Sequence, residues 1–345
     1  YLLKFSNMIF YDSVYVTNIP SFYKLNLYNR IAKRKGIFVI FTGEINEVRN
    51  DDFFRGDFNF DFINLSGKQV YCKIWIVTHI LRKCNYGELV LGGWDSIIMW
   101  WLLFVSPRSK NSLIVESSYL ESNIVGIKCF LKKLFLQRIS KAYVPGKSNR
   151  KLLEILNFRR RIIETRGVGI FNIIPQPLYT RKEKINKFLY VGRLSPEKNV
   201  EMLVRVFNKR PDLILNIVGF GPSEEALKRL AKKNIVFHGP INNEDLPNIY
   251  QSNDVFILPS LSETWGLVVE EALNNGLPVI VSNKVGCAEE IVNENNGIVF
   301  SLDSDTGLLN AIDHIRDVSY YNSLRCYIAS YNFNSIAENQ VTCYL

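Results

Sequence analysis

The sequence predicts an α/β protein made of two doubly wound parallel-sheet domains. Three observations lead there. Short apolar, β-branched runs alternate with helix-periodic stretches over most of the chain, the pattern of strands buried on both faces by crossover helices. The length of 345 residues favours two domains of ~170 residues over one. A proline-broken stretch, Phe171-Asn172-Ile173-Ile174-Pro175-Gln176-Pro177, followed by the charged Arg181-Lys182-Glu183-Lys184, separates the two series. The expected division is 1–172, a linker over 173–186, a second domain over 187–318 and a helical segment over 319–345.

In the first half, Val14–Thr17, Ile37–Phe41, Phe60–Leu65, Leu89–Leu91, Leu113–Val115 and Ala142–Val144 read as strands. Helical stretches lie between several of them, at Tyr23–Lys35, Val70–Lys83, Ser96–Val105 and Ile124–Ser140. The second half opens with strand Phe188–Val191. A helix is expected from about Pro196, because Val200, Leu203, Val204 and Phe207 recur at i, i+3, i+4, i+7, with Ser195 as N-cap and Pro196 in the first turn. Strands Leu213–Val218, Ile235–Phe237, Val255–Leu258 and Val279–Val281 follow, with helices at Ser223–Lys233, Asn243–Tyr250, Gly266–Asn274 and Glu289–Val292.

Composition narrows the function classes. Hydrophobic residues make up 47% and charged residues 22%, which excludes a disordered chain. The longest strongly apolar run, Ile97–Val105, is too short for a ~30 Å hydrocarbon core. Six cysteines without a C-x-x-C pair suit free thiols, and three scattered histidines argue against a His-based metal cluster.

Charge is uneven. Residues 1–180 carry 26 basic against 13 acidic side chains, and residues 181–345 carry 16 against 20. No aromatic RNA-stacking block accompanies the basic half, so nucleic acid is not the expected partner. In Lys128–Arg138 the wheel puts Phe130, Leu131, Leu134 and Phe135 near one face and Lys128, Lys132 and Lys133 on others. Such a helix can lie on an anionic membrane surface, or pack its stripe on a sheet in the ordinary way.

Open parallel sheets bind ligands beyond the carboxyl ends of their strands, and the informative residues fall there. After Leu189-Tyr190-Val191 comes Gly192-Arg193-Leu194-Ser195-Pro196-Glu197-Lys198, where Arg193 and Lys198 can converge on one diphosphate at a helix N-terminus. Gly219 and Gly221 follow the next strand and are expected to let backbone approach a ligand. After Val255–Leu258 comes Pro259-Ser260-Leu261-Ser262-Glu263-Thr264-Trp265-Gly266-Leu267, with Glu271 eight residues beyond Glu263. Those carboxylates lie up to ~12 Å apart along the axis, suited to gripping two ends of a long ligand. The amides at Gly266-Leu267 favour phosphate, whereas Glu270, ~100° round the helix, is expected in solvent.

Val191-Gly192-Arg193-Leu194 with Lys198, Gly219-x-Gly221, Pro259-Ser260, and Glu263-x7-Glu271 followed by Gly276-x-Pro278-Val279 resemble the nucleotide-sugar domain of GT-B retaining glycosyltransferases of family 4, over residues 187–300. The resemblance implies two Rossmann-like domains facing across a cleft, the carboxy-terminal one binding a nucleotide-diphosphate sugar and the amino-terminal one the acceptor. It implies that Glu263 contacts the transferred sugar in catalysis and that Arg193 and Lys198 stabilise the diphosphate as it leaves. Glu271 would bind the ribose, with Thr264, Trp265, Gly266 and Leu267 lining the donor and Val236–Gly239 holding the base. His238 lies in that last segment, where an ordinary strand-end histidine is the plainer account. The segment 319–345 would return to the first domain, and closure would pivot near Pro175–Pro177.

In the first half, Thr17-Asn18-Ile19-Pro20-Ser21, Leu91-Gly92-Gly93-Trp94-Asp95 and Val144-Pro145-Gly146-Lys147 resemble bacterial surface-polysaccharide members of the family. Where many members carry a histidine near the sugar, this chain reads Val115-Glu116-Ser117-Ser118. Glu116 either takes over that substrate contact or caps the next segment. Asp303-Ser304-Asp305 is a D-x-D, read as an N-cap of helix Gly307–Ile315 rather than a metal site. The resemblance implies a metal-independent enzyme without cofactor, working in surface polysaccharide assembly such as lipopolysaccharide O-antigen. Its acceptor would be a lipid-linked saccharide at the inner face of the cytoplasmic membrane, where the protein would be peripheral. A nucleotide-sugar epimerase of the same architecture and a non-catalytic sugar-nucleotide-binding subunit are the alternatives.

Overall fold

Two wholly parallel sheets organise the chain. The structure, a computed structural model, describes residues 10–43, 54, 56–122, 124–170 and 172–345. By its contacts the chain divides into one unit of Tyr1–Val168 with Glu338–Leu345 and a second of Gly169–Ala337.

The first unit's strands are β1 (Phe10–Thr17), β2 (Ile37–Phe41), β3 (Asp61–Asn64), β4 (Asn85–Leu91), β5 (Asn111–Ile114), β6 (Lys141–Val144) and β7 (Arg161–Glu164), in the order β3-β2-β1-β4-β5-β6-β7. Along β1 the side chains alternate between two cores. Val14 and Val16 face helices α2 (Val70–Lys83), α3 (Ile97–Val105), α4 (Gly126–Leu136) and α5 (Lys147–Ile155) through Val77, Leu102, Phe135 and Leu152. Tyr15 faces α1 (Phe22–Ala32), with Leu25, Tyr28 and Ile31, and also the terminal Val341 and Tyr344. Strand order reverses between β1 and β4, beyond Thr17 and Leu91, the position at which open parallel sheets bind ligands.

The second unit has β8 (Lys187–Val191), β9 (Ile214–Val218), β10 (Ile235–Gly239), β11 (Val255–Leu258), β12 (Val279–Ser282) and β13 (Gly297–Phe300), ordered β10-β9-β8-β11-β12-β13. Its switch point lies between β8 and β11. Its helices are α6 (Val200–Asn208), α7 (Glu224–Leu230), α8 (Leu246–Gln251), α9 (Leu267–Asn274), α10 (Ala288–Ile291), α11 (Asp305–Ile315) and α12 (Val318–Ile328), with α13 (Phe333–Thr342) last.

Several expectations need correction. The helix expected from Pro196 is a single 3-10 turn over Pro196–Lys198, and α6 starts only at Val200. Asn199 intervenes with φ 54°, held by its amide donating to the Pro259 carbonyl at 3.2 Å; Asn tolerates this left-handed backbone. Ser195 caps nothing, because its hydroxyl donates to Glu197 Oε1 at 2.5 Å. The D-x-D does not cap through its side chains either. α11 begins at Asp305 after an uncapped Ser304, Asp303 accepts from Ser301, and Asp305 pairs with Arg205 at 3.1 Å.

Nor does the apolar stripe of α4 pack on the sheet. Cys129, Phe135 and Leu136 do, while Phe130, Leu131 and Leu134 face outwards. Residues 319–345 divide between the units: Tyr321, Leu324 and Ile328 sit in the core of the second, Val341 and Tyr344 in that of the first. The stretch around Pro175–Pro177 is tied to the second unit, where Gln176 donates to the Leu273 carbonyl at 3.2 Å. β7, β13 and α5 lie outside the expected elements: the two strands are four-residue edge strands, too short to show a period, and α5 has three apolar residues in nine.

Candidate functional site

The β8 and β11 strand ends lie side by side, so their loops meet. The Leu261 amide donates to the Glu197 carbonyl at 2.8 Å, and Asn199 reaches Pro259. Lys198 and Glu263 thereby come into direct contact as an ion pair, with side chains only 19% and 15% exposed. Arg193 joins the same cluster. Its guanidinium donates to Glu197 Oε1 at 3.0 Å, and its carbonyl accepts from the buried Tyr190 hydroxyl at 2.8 Å. Burial of Glu197 opposes ionisation, but hydrogen bonds from Ser195, the backbone and Arg193 hold its carboxyl below the ordinary value. Burial, with Glu263 and Glu197 nearby, pushes the Tyr190 hydroxyl well up, so it stays a donor.

The loop carrying Glu263 is braced by β12's continuation. The Glu263 amide donates to the Lys284 carbonyl at 3.2 Å, and the Gly286 amide to the Glu263 carbonyl at 2.8 Å. A Cβ at Gly286 would sit 2.0 Å from the Thr264 carbonyl oxygen, so only glycine permits this approach. Gly266, at φ 100°, opens α9 with no side-chain cap, which leaves the helix's positive end available to an anion. Thr264 and Leu267 are half-buried beside it.

Other candidates stand elsewhere. The Trp265 side chain is buried in the core, and its indole donates to Glu270 Oε1 at 2.7 Å. Glu270, expected in solvent, is therefore buried: an indole needs an acceptor, and the first turn of α9 favours a carboxylate. Gly219 and Gly221 have a structural reason that involves no ligand. Cβ atoms there would lie 1.9 Å from the Gly192 carbonyl oxygen and 2.4 Å from that of Leu194, so these glycines let the β8 and β9 loops pack together. His238 is exposed on the edge strand β10, 2.8 Å from Asn216 Oδ1.

Glu271 lies in a hollow with Asn172, Asn243, Leu246, Pro247, Tyr250 and Asn275. The Tyr250 hydroxyl donates to it at 3.1 Å. Burial lifts the Glu271 carboxyl to about 7; the Tyr250 bond opposes that rise and the Glu270 charge adds to it. No spacing rule points to Tyr250, which is 21 residues from Glu271.

Within the first unit, Glu116 is exposed beyond β5 and pairs with the buried Lys24 at 3.4 Å. Lys24 also donates to Thr17 Oγ1 at 3.2 Å, at the β1 end of the switch point. Glu116 is no side-chain cap, and Lys24 is a residue the sequence did not single out.

A family model described as glycosyl transferases group 1 matches residues 177–323. The O-antigen biosynthesis glycosyltransferase WbnH of Escherichia coli is 30% identical over 290 residues, 79% of either chain. The chain belongs to the glycosyl transferases group 1 family. Sulfoquinovosyl transferase SQD2 of Arabidopsis thaliana is 39% identical over 110 residues, 32% of this chain and 22% of that protein. With SQD2 and two further relatives the match takes in 22 to 44% of the relative's length. Among solved structures, Anabaena HepE in complex with UDP and glucose superposes with a TM-score of 0.70 at 13% identity, covering 94% of this chain and 97% of that one. The group 1 fold is accordingly GT-B, with a Rossmann-like sheet in each unit.

Proposed function

We propose that this group 1 protein is a retaining glycosyltransferase. It moves a hexose from a nucleotide-diphosphate sugar, held on the second unit, to a lipid-linked saccharide acceptor in bacterial surface polysaccharide assembly, O-antigen included. The Lys198–Glu263 pair at the β8/β11 switch point, with Arg193 tied in through Glu197, carries the reading. Ligands bind at such switch points, and this one holds two cations, the two carboxylates paired with them and an uncapped helix end.

In this reading the bond from the anomeric carbon to the diphosphate breaks, and negative charge builds on the leaving oxygen. Lys198, Arg193 and the amides at Gly266-Leu267 stabilise that charge, the role a metal plays in other transferases, so none is required. Glu263 positions the hexose and supports the positive charge at the anomeric carbon. The acceptor hydroxyl forms the new bond on the face the diphosphate leaves, and its proton departs with the diphosphate. Glu271 accepts from the ribose hydroxyls, Gly219 and Gly221 shape the loops beside the diphosphate, and His238 lies on the strand that holds the base. Glu116, set by Lys24, contacts the acceptor held on the first unit. Among the described residues no helix is long and apolar enough to cross a membrane, and the net charge of +9 suits a peripheral enzyme on the anionic inner face of the cytoplasmic membrane.

A panel of UDP-, GDP- and dTDP-sugars tests this by thermal stabilisation. One donor should stabilise the wild type and lose that effect in Arg193→Ala. Incubation of that donor without acceptor should leave its sugar unchanged; epimerised product would overturn transfer as the reaction.

A further inference from the structure

Three neighbouring helices of the first unit turn apolar side chains outwards. On α4, Ile127, Phe130, Leu131 and Leu134 follow the i, i+3, i+4, i+7 spacing of a buried stripe, yet they lie opposite the core-facing Cys129 and Leu136. Ile127 is 78% exposed and Phe130 66%. α3 repeats the arrangement: Ile98, Met99 and Leu102 face the sheet, and Ile97, Trp101 and Phe104 face away, Phe104 at 62% exposure. On α2, Tyr71 and Trp75 stand one turn apart at 72% and 59%.

The α2 and α3 stripes adjoin, and the chain just past α4 is tied to α3. The Trp101 indole donates to Thr78 Oγ1 at 2.8 Å and joins α3 to α2. Arg138, just past α4, donates to the Leu103 carbonyl at 2.7 Å, and its guanidinium stacks 5.4 Å from the Phe104 ring. Isolated exposed apolar residues are ordinary, but a patch of this extent marks a surface made to be covered.

Charge identifies the cover. No residue of α2, α3 or α4 is Asp or Glu, and six are Lys or Arg. Lys128 and Lys133 flank the α4 stripe on either side. A second copy of the chain would bring like charges together across its own apolar face. An anionic bilayer supplies both halves: acyl chains for the stripes and headgroups for the flanking lysines.

We propose that α2, α3 and α4 form a membrane-docking face that inserts its aromatic and aliphatic side chains into an anionic lipid surface. The inference rests on the reading that the protein is peripheral to a membrane, and deepens it: apolar insertion, rather than charge alone, holds the protein there.

Full-length protein is sedimented with vesicles of phosphatidylcholine alone or with about 30 mol% phosphatidylglycerol, at about 0.15 M and about 1 M salt. Wild type should bind the anionic vesicles and keep part of that binding at high salt. Ile127→Ser with Phe130→Ser, which leaves charge unchanged, should weaken it at least about tenfold, and Lys128→Glu with Lys133→Glu by a similar factor at low salt. All four side chains are exposed, so unfolding midpoints should match wild type. Donor-induced stabilisation, a property of the second unit, should persist in both variants; its loss in wild type would count against the donor site, not this face. The proposal is overturned if the serine variant binds like wild type or if wild type ignores anionic vesicles. A wild-type dimer dissolved by the serine variant would overturn it in favour of self-association.

Discussion

Glu271 should make both stability and donor binding depend on pH, and Glu271→Gln should remove that dependence. Burial raises the Glu271 carboxyl from 4.5 to about 7 in the folded protein. Between those values the folded state holds a proton that the unfolded chain has released. Folding is therefore favoured at low pH and weakened as pH rises through about 7, the reverse of a salt-bridged carboxylate. At about 1.4 kcal/mol per pH unit, the full interval is worth about 2 to 3.5 kcal/mol, the lower end reflecting water at a half-buried group. For a unit of this size that corresponds to about 4 to 14 °C in Tm. Glutamine keeps an acceptor for Tyr250 and cannot titrate. The difference in Tm between wild type and Glu271→Gln, followed from pH 4.5 to about 8, should thus favour wild type in acid and shrink or reverse above neutrality. If ribose hydroxyls donate to the carboxylate, donor binding also expels the proton, and donor affinity should rise by up to about tenfold per pH unit below 7. Parallel Tm–pH curves for the two proteins would refute the argument, because they would mean that Glu271 is already ionised in the folded state.

Lys198→Ala and Glu263→Gln should each lower kcat by at least about a hundredfold, the scale of losing one preorganised electrostatic group, with far-ultraviolet circular dichroism unchanged; wild-type turnover in either would remove the pair from catalysis. Gly219→Ala should destabilise the second unit by more than about 2 kcal/mol in urea titrations, because its Cβ would meet the Gly192 carbonyl oxygen at 1.9 Å and φ 124° resists any side chain. Glu270→Ala should cost about 1 to 3 kcal/mol by leaving the buried Trp265 indole without its acceptor. Glu270→Gln should recover much of that, and an alanine variant as stable as wild type would show that the indole finds another partner.

Strands buried on both faces were the clearest to read. Ile37–Phe41 and Val255–Leu258 read as continuous apolar runs, and the structure places them there as β2 and β11. β7, Arg161–Glu164, is an edge strand with charged ends, so its pattern was too weak to read. The Pro196 helix start failed for a local reason: Asn199 can adopt a left-handed backbone, which the apolar spacing of the helix beyond it does not register. The solvated reading of Glu270 failed because a helical wheel shows neighbours on one helix only, whereas its partner Trp265 reaches back from the preceding loop.

By itself the sequence determined the two-sheet architecture, the family and the residues at each strand end, because period and local punctuation are properties of neighbours along the chain. Tertiary structure decided the pairings: Lys198 with Glu263, Tyr250 with Glu271, Lys24 with Glu116. It also decided which side of α4 meets water. Those outcomes depend on strand order, which brings together groups tens of residues apart. Spacing shows that a helix has an apolar stripe; only the sheet beneath it settles whether that stripe is the side it covers.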